Sequence, residues 1–384
     1  MEKVRLGDVF TISSGGTPNK KNDNYYKGGN IPWIKTGDLK NRYVCDEVEY
    51  ITEEGLKNSS AKLFPKDTVL VAMYGATIGA CSILPYEAST NQACAAFLPN
   101  DMILPDYLYY FLCSQKEKFI KDGVGGAQPN ISAGYLKNVL LQFRNLSEQK
   151  DIINKLNHVI DMIERRKQQL EKLDELVKAR FVELFGTIHD NKFGYEIKTL
   201  QDVCEQIKDG THQTPTYTDD RVNGYKFLSS KDVTTGKIDW THLKYIPEEL
   251  HNELYARIAP RKGDVLLAKN GTTGIAAIVD REEIFDIYVS LALLRPIEIN
   301  SVYLWAAINS VETKQQFDAS LKGIGVPNLH LGEIKKARII VPPVEEQNQF
   351  ATFVKQTDKS KSEVQNSLEK LELLKKALMQ KYFG

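Results

Sequence analysis

The stretch "ARFVELFG" at residues 179–186 returns in altered form as "ALMQKYFG" at residues 377–384. The two final glycines lie 198 residues apart, and other similar segments keep this spacing or one a few residues shorter. They are "SEQ" (147–149) with "EEQ" (345–347), "LEKLDEL" (170–176) with "LEKLELL" (368–374), "YGAT" (74–77) with "NGTT" (270–273), and "LGDV" (6–9) with "LQDV" (200–203). The period is far above the ~20–50 residues of solenoid repeats, so a whole module is duplicated. Two similar modules can adopt an approximate two-fold axis.

Each copy ends in a segment that is predicted to form one long helix. Residues 147–185 contain neither Gly nor Pro, Ser147 is suited to cap the helix, and Gly186 is suited to end it. A long helix with a narrow apolar stripe needs a partner helix in water. Its own repeat is the favoured partner because of its high effective concentration, and dimerisation with a second chain is the alternative. Apolar residues at heptad spacing form the predicted seam: Leu156, Val159, Ile163, Leu170, Leu173, Val177, Leu184, Phe353, Val364, Leu368, Leu371 and Leu378.

The segment before each long helix has the pattern of a mixed α/β module. Short apolar runs bounded by turn residues predict strands at 67–75, 80–85 and 138–143, and in the second copy at 264–271, 276–279 and 337–342. Residues 104–121 and 301–321 have helical spacing. The predicted architecture is α/β (mixed α+β), with two similar domains joined by two long antiparallel helices in an intramolecular coiled coil. Its segments are residues 1–145, 146–186, 187–341 and 342–384.

Composition restricts the class of protein. The sequence has 42% hydrophobic and 26% charged residues, and it lacks an apolar run of the ~18 residues that would span a membrane. Its first ten residues do not resemble a secretion signal, so a cytoplasmic location is expected. Five widely spaced cysteines argue against a disulfide framework. Fifty basic and fifty acidic residues balance, which counts mildly against nucleic-acid binding without excluding it.

Motifs for catalysis are missing from the sequence. It contains no H-E-x-x-H, no G-x-S-x-G and no G-x-x-x-x-G-K-[ST] pattern. The six histidines are scattered without partners at metal-binding spacing, so no metal site is predicted. Asp38 and Asp232 occupy matching places in the two copies and are interpreted as turn or cap carboxylates. A self-contained enzyme is therefore disfavoured.

Four longer segments resemble a known family. They are residues 4–39, "VRLGDVFTISSGGTPNKKNDNYYKGGNIPWIKTGDL", together with 84–99, "LPYEASTNQACAAFLP", 129–152, "PNISAGYLKNVLLQFRNLSEQKDI", and 327–350, "PNLHLGEIKKARIIVPPVEEQNQF". The sequence is similar in these segments to the DNA-specificity subunits of type I restriction–modification systems. The order of recognition domain, helix, recognition domain and helix extends the resemblance to essentially the whole chain.

The resemblance implies a non-catalytic subunit that reads double-stranded DNA. Each target recognition domain would read one half of a bipartite target, and the paired helices would set the unread spacer. The implied partners are methyltransferase (modification) subunits and a restriction/translocase subunit, with no membrane. S-adenosylmethionine, ATP and Mg would be used by those partners, and no cofactor is expected in this chain.

Candidate DNA-binding residues are polar side chains in turn-rich stretches at matching places in the two copies. At each position an ordinary turn or surface residue remains the alternative to a DNA contact. In the first copy they are Lys20, Lys21, Asn22, Lys35, Thr36, Tyr74, Thr77, Asn91, Gln92, Gln128 and Asn130. In the second copy they are His212, Gln213, Thr214, Lys231, Lys269, Asn270, Thr272, Thr273 and Asn328. For the whole chain, the alternative is a two-domain protein-interaction scaffold without sequence-specific DNA binding.

Overall fold

The computed structural model describes residues 2–45, 48–124, 130–321 and 327–384. The chain forms two compact units, the first of Met1–Lys167 with Asn366–Gly384 and the second of Gln168–Gln365. Each unit contains one strand-rich module and a part of both long helices, so the compact units group the chain differently from the four predicted segments.

The first unit carries ten short strands and six helices in the described part of its sequence. In chain order they are β1 (Lys3–Arg5), α1 (Leu6–Val9), β2 (Ile12–Ser14), β3 (Ile31–Ile34), β4 (Glu49–Ile51), α2 (Glu53–Lys57), β5 (Leu63–Phe64), β6 (Val69–Ala72), β7 (Cys81–Ile83), β8 (Ala88–Thr90), β9 (Cys94–Phe97), α3 (Pro105–Ser114), α4 (Lys116–Asp122), α5 (Ala133–Asn138), β10 (Leu140–Gln142) and the long helix α6 (Leu146–Phe185), which continues into the second unit.

The second unit has a similar order, without counterparts of α1 and β5 among its described residues. Its elements are β11 (Glu196–Thr199), β12 (Cys204–Asp209), β13 (Tyr225–Leu228), β14 (Lys244–Ile246), α7 (Glu248–Arg257), β15 (Val265–Ala268), β16 (Ala276–Ile278), β17 (Phe285–Ile287), β18 (Leu291–Pro296), α8 (Ser301–Ile308), α9 (Val311–Ser320), α10 (Leu331–Lys336), β19 (Arg338–Val341) and the long helix α11 (Val344–Phe383), whose last part belongs to the first unit.

The strand connections repeat between the units. The order β2-β9-β6-β7 in the first unit corresponds to β12-β18-β15-β16 in the second, and β4-β3-β8 corresponds to β14-β13-β17. The pair β1-β10 corresponds to β11-β19. Even the exceptional parallel contact is kept, because β3 pairs parallel with β8 and β13 pairs parallel with β17. The duplication predicted from the sequence is therefore confirmed at the level of topology.

Buried apolar strands hold each module together. All four residues of β6 and all four of β15 are buried, which explains why these segments read as continuous apolar runs rather than as an alternating pattern. Trp33 is buried as well, and its indole Nε1 donates to the carbonyl oxygen of Gly16 at 2.9 Å. This tryptophan is a packing residue that fixes the loop after β2.

The helical character of residues 104–121 and 301–321 is confirmed, although each forms two helices, whereas the predicted cap of α6 is wrong. The predicted helices at 104–121 and 301–321 are each divided, by Gln115 between α3 and α4 and by Asn309–Ser310 between α8 and α9. The cap of α6 is Asn145 rather than Ser147, because Asn145 Oδ1 accepts from the backbone N of Glu148 at 2.9 Å and Glu148 Oε2 accepts from the backbone N of Asn145 at 3.2 Å.

Gly186 ends α6 as predicted. Its φ of +71° lies in the left-handed region that glycine adopts at low cost. None of the helices in the described ranges combines the length and apolar character needed to cross a lipid bilayer.

The long helices run antiparallel where they meet inside each unit. In the second unit, Lys361 Nζ lies 2.5 Å from Asp174, whereas the Arg180 guanidinium lies over the ring of Phe353 at 5.9 Å. A later position on α6 therefore meets an earlier position on α11. In the first unit, Leu156 shares a buried cluster with Phe383, close to the end of α11.

The predicted seam residues are all withdrawn from solvent to some degree. The buried ones are Leu156, Val159, Ile163, Val177, Val364 and Leu368. The half-buried ones are Leu170, Leu173, Leu184, Phe353, Leu371 and Leu378. This is the burial that a narrow stripe between two helices requires.

Candidate nucleic-acid interface

Several loops of the first unit are held together at one end of its strands. Backbone bonds join the loop after β2 to β8 (Gly16 N to Thr90 O, 2.9 Å) and the residue after β8 to the end of β3 (Asn91 N to Ile34 O, 2.9 Å). Met73, which follows β6, donates to Ala93 O at 2.9 Å. Residues 15–22, 35–38, 73–77, 91–93 and 130–131 are called the first loop surface below.

The second unit assembles the corresponding loops in the same way. Thr211 N donates to Ile287 O at 3.2 Å, Lys269 N donates to Ser290 O at 2.9 Å, and Leu329 N donates to Lys269 O at 2.8 Å. Residues 210–215, 229–233, 269–273, 288–290 and 328–329 are called the second loop surface.

Glycine permits the close approach on which each loop surface depends. A Cβ atom on Gly15 would lie 1.9 Å from the carbonyl oxygen of Thr90, and one on Gly210 would lie 2.0 Å from that of Ile287. No side chain fits at such distances, so both loops must begin with glycine. The matched acids Asp38 and Asp232 support the next loop. Each carboxylate accepts a backbone N–H three residues earlier, at 2.7 and 2.6 Å, which confirms their interpretation as turn carboxylates.

On the first loop surface the candidate side chains differ in how freely they face solvent. Exposed candidates are Lys20, Lys21, Tyr74, Gln92 and Asn130, and half-buried ones are Asn22, Lys35, Thr36, Thr77 and Asn91. Gln128 lies outside the described residues. Some have local partners already, since Lys35 pairs with Glu49, and Asn22 and Asn91 accept backbone N–H bonds in their own turns.

On the second loop surface the exposed candidates are His212, Gln213, Thr214, Lys231 and Thr272, and the half-buried ones are Asn270, Thr273 and Asn328. Lys269 departs from the expectation of a surface cation. It is only 5% exposed, and its ammonium lies 2.8 Å from Asp209 Oδ2. A buried lysine needs a charged partner of this kind. The ion pair could not be predicted from the sequence, because Asp209 and Lys269 are 60 positions apart.

Asp209 is the centre of a charged cluster beneath the second loop surface. Besides Lys269, its carboxylate meets His212 Nε2 at 3.2 Å and the Arg257 guanidinium at 3.5 Å. Burial alone would raise the pKa of Asp209, but bonding to the Lys269 ammonium and the nearby His212 outweigh burial and hold that pKa below its ordinary value. The carboxylate is therefore ionised at neutral pH.

Sequence reasoning missed Asp209 and Arg257. A lone acid at the end of a strand and an arginine in a helix give no signal by themselves, and their roles depend on contacts across the fold. It also missed Tyr217, a 43% exposed aromatic that follows the loop at 210–215. The ammonium of Lys244 lies over its ring at 3.9 Å.

The described residues contain no group of three or more His, Cys, Asp or Glu side chains disposed to hold a metal ion. Within the second unit, a cavity of about 780 Å³ lies beside the first half of α11. Its wall includes Val302 and Trp305 of α8 together with Ala351 and Lys355 of α11. Its volume lies in the range of ligand-sized clefts in proteins.

Comparison with known proteins gives the family. A model described as the type I restriction modification DNA specificity domain matches residues 1–175 and matches residues 193–373 a second time. The chain belongs to this type I DNA-specificity family. The type I restriction enzyme MjaIX specificity subunit of Methanocaldococcus jannaschii is 27% identical over 369 residues, which cover 88% of this chain and 82% of that protein. The EcoKI specificity subunit of Escherichia coli K12 is 20% identical, with 98% and 87% covered.

Solved structures share the fold of this specificity-family chain. The S subunit of a type I system from M. genitalium has a TM-score of 0.55 at 16% identity and covers 100% of this chain and 96% of its own. A chain from work on complex assembly and conformational transition of the type I R-M system has a TM-score of 0.67 at 18% identity, covering 100% and 97%. Each family match covers one module and most of the long helix that follows it, so the internal repeat is a pair of specificity domains.

Proposed function

We propose that this specificity-family chain is the non-catalytic DNA-recognition subunit of a type I restriction–modification complex, and that each loop surface reads one half of a bipartite target. The main support for the proposal is that the two loop surfaces have similar backbone contacts but different side chains. The two loop surfaces are built by the same backbone contacts, yet one presents Tyr74 where the other presents Asn270. Proteins distinguish base edges by the chemistry of the side chains that contact them. Two loop surfaces with different side chains therefore suit two different half-sites.

The paired helices would set the distance between the half-sites. Each has 40 residues, so its length is about 60 Å at ~1.5 Å per residue. A seven-residue insertion in each helix keeps the seam in register and adds about 10 Å. That is about three base pairs at ~3.4 Å each, so the unread spacer should lengthen by about three base pairs.

Methyltransferase subunits are the partners that would dock on the helices and modules, and a restriction/translocase subunit would complete the complex. The cavity beside α11 supports this part of the proposal, because it offers an apolar wall next to the exposed Lys355. S-adenosylmethionine, ATP and Mg would act in those subunits.

The test is reconstitution with the methyltransferase subunit of the same system. Methylation of a randomised DNA library should reveal two specific blocks at a fixed spacing, and binding should weaken steeply with salt because phosphate contacts release counterions. Replacing residues 1–145 by those of a relative should change one block and leave the other unchanged. Binding that depends neither on sequence nor on salt would instead favour the protein-interaction scaffold.

A further inference from the structure

The loop that opens the second loop surface is two residues longer than its counterpart. Gly15 and Gly210 correspond through their matching close approaches, and Thr17–Pro18 corresponds to Thr214–Pro215. The sequence "GTHQTP" (210–215) therefore contains an insertion, His212–Gln213, relative to "GGTP" (15–18). Both inserted side chains are exposed, so the second unit displays here a chemistry that the first unit lacks.

The His212 imidazole contacts the buried carboxylate of Asp209. Its Nε2 lies 3.2 Å from Asp209 Oδ2, and the same oxygen accepts a bond from the Lys269 ammonium at 2.8 Å. Arg257 fixes the backbone at this point by donating to the carbonyl oxygen of Asp209 at 3.1 Å. Asp209 and Lys269 are both more than nine-tenths buried, whereas His212 projects from them into solvent. An exposed ring held by a buried ion pair keeps one orientation, which lowers the entropy cost of a directional contact.

We propose that His212 is a specificity-determining residue of the second loop surface, and that it recognises a base carrying an exocyclic amino group in the major groove. The inference rests on the proposed function. In the tautomer whose Nε2–H donates to the carboxylate of Asp209, the lone pair of the His212 ring is on Nδ1. An acceptor at Nδ1 complements the amino donors of adenine N6 and cytosine N4, and it opposes the keto oxygens of guanine and thymine. Asp209 and Lys269 are positioning residues.

The experiment is library methylation at pH 8 by the reconstituted complex, with wild type and three variants. His212→Ala should lower discrimination at one position of the second half-site by about tenfold or more, which is the range of a lost base contact. All positions of the first half-site should stay unchanged. Lys269→Met should relax the same position, because the ring loses its fixed orientation. Lys231→Ala is the matched control, since this lysine is exposed on the same surface. It should weaken all sequences equally and reduce the salt slope by about one.

Each result has one consequence. If His212→Ala relaxes no position while both half-sites are still read, the inference fails and the proposed function stands. If the wild-type complex has no sequence preference, the proposed function itself fails. Removing the exocyclic amino group at that base pair, with a purine or 2-pyrimidinone analogue, should lower methylation by wild type and not by His212→Ala, and an equal effect on both proteins overturns the acceptor role of Nδ1. If Lys269→Met loses its folded circular dichroism spectrum, Asp209→Ala, which removes the acceptor, supplies the second positioning variant, and its failure to relax that position refutes the positioning role.

Discussion

Replacing Gln149 by leucine should destabilise the first unit strongly although it removes no charge and little volume. Gln149 is the glutamine of "SEQ" at the start of α6 and is completely buried. Its Oε1 accepts from the backbone N of Leu104, and its Nε2 donates to the carbonyl oxygens of Met102 and Arg144, all at 2.8 Å. One side chain thus fastens the long helix to the residue that precedes α3.

The expected cost follows from those three bonds. Leucine fills the space but leaves one N–H and two C=O groups without their partner in part-buried surroundings, at about 1–3 kcal/mol for each group. Part of the loss is offset by the more favourable burial of leucine, so the net cost is about 3–5 kcal/mol. For a unit of this size each kcal/mol lowers Tm by about 2–4 °C, so a decrease of about 10 °C is expected.

Differential scanning calorimetry measures the change, and hydrogen exchange of peptides from each unit shows where it acts. Gln168→Leu is the matched control on the same helix, because Gln168 is exposed and its replacement should change stability by less than about 0.5 kcal/mol. Gln347→Leu provides a second comparison. Gln347 makes two equivalent bonds, because its Oε1 accepts from Asn300 N and its Nε2 donates to Pro342 O. Its replacement should therefore destabilise the second unit less than Gln149→Leu destabilises the first. A Gln149→Leu protein that melts within 2 °C of wild type would refute this account.

Three further predictions concern the seam, the second unit and the end of α11. Leu368→Asp should destabilise the protein by several kcal/mol, as judged by thermal unfolding, because Leu368 is 7% exposed, whereas Leu373→Asp on the same helix should be nearly neutral at 67% exposure. Burial raises the pKa of Asp286 to about 6 despite its 2.7 Å bond to His251. The carboxyl group of the folded protein therefore keeps its proton more strongly than that of the unfolded chain. The resulting stabilisation is fully present below the unfolded pKa of 3.8 and is lost as pH rises through about 6. The Tm of Asp286→Asn relative to wild type should therefore increase between pH 4 and 7, and a constant difference would contradict the assignment. Phe383→Ala should cost about 3–5 kcal/mol in urea unfolding, because the ring is buried 5.2 Å from that of Tyr107.

Periodicity was sufficient to predict the large features of the fold. The absence of Gly and Pro from residues 147–185 and the heptad spacing predicted α6 and its end at Gly186, and the repeat predicted α11. Boundaries were harder to predict. Asn145 and Ser147 are both good caps and stand two residues apart, and the choice depends on the reciprocal bond that Glu148 can make only with Asn145.

The division of the predicted helix at 104–121 shows a second limit. Lys116, Glu117 and Lys118 are strong helix formers, so local propensity favours continuation through Gln115. Gln115 donates to the carbonyl oxygen of Phe383 at 3.4 Å, a contact between residues 268 positions apart. Local sequence does not reveal such a partner, and helix propensity alone does not place the division between α3 and α4.

The candidate interface was predictable as a set of loops but not residue by residue. Turn composition at matching places located both loop surfaces, because the repeat supplies an internal alignment. It could not separate Lys231, which is exposed, from Lys269, which is buried against Asp209. Both are lysines that follow strands, and the difference lies in Asp209 at the end of β12, which is separated from β15 by β18 in the same sheet.

The repeat also separates what the fold needs from what each unit does with it. Gln149 and Gln347 make equivalent bonds, and Gly15 and Gly210 make equivalent close approaches, so these pairs are retained because the backbone requires them. The residues between such fixed points differ, and the insertion of His212 is the clearest case. Two recognition surfaces that shared their side chains would read the same half-site twice. Under the proposed function, different side chains on the two loop surfaces, carried by matching strand connections, would allow one fold to read two unlike sequences.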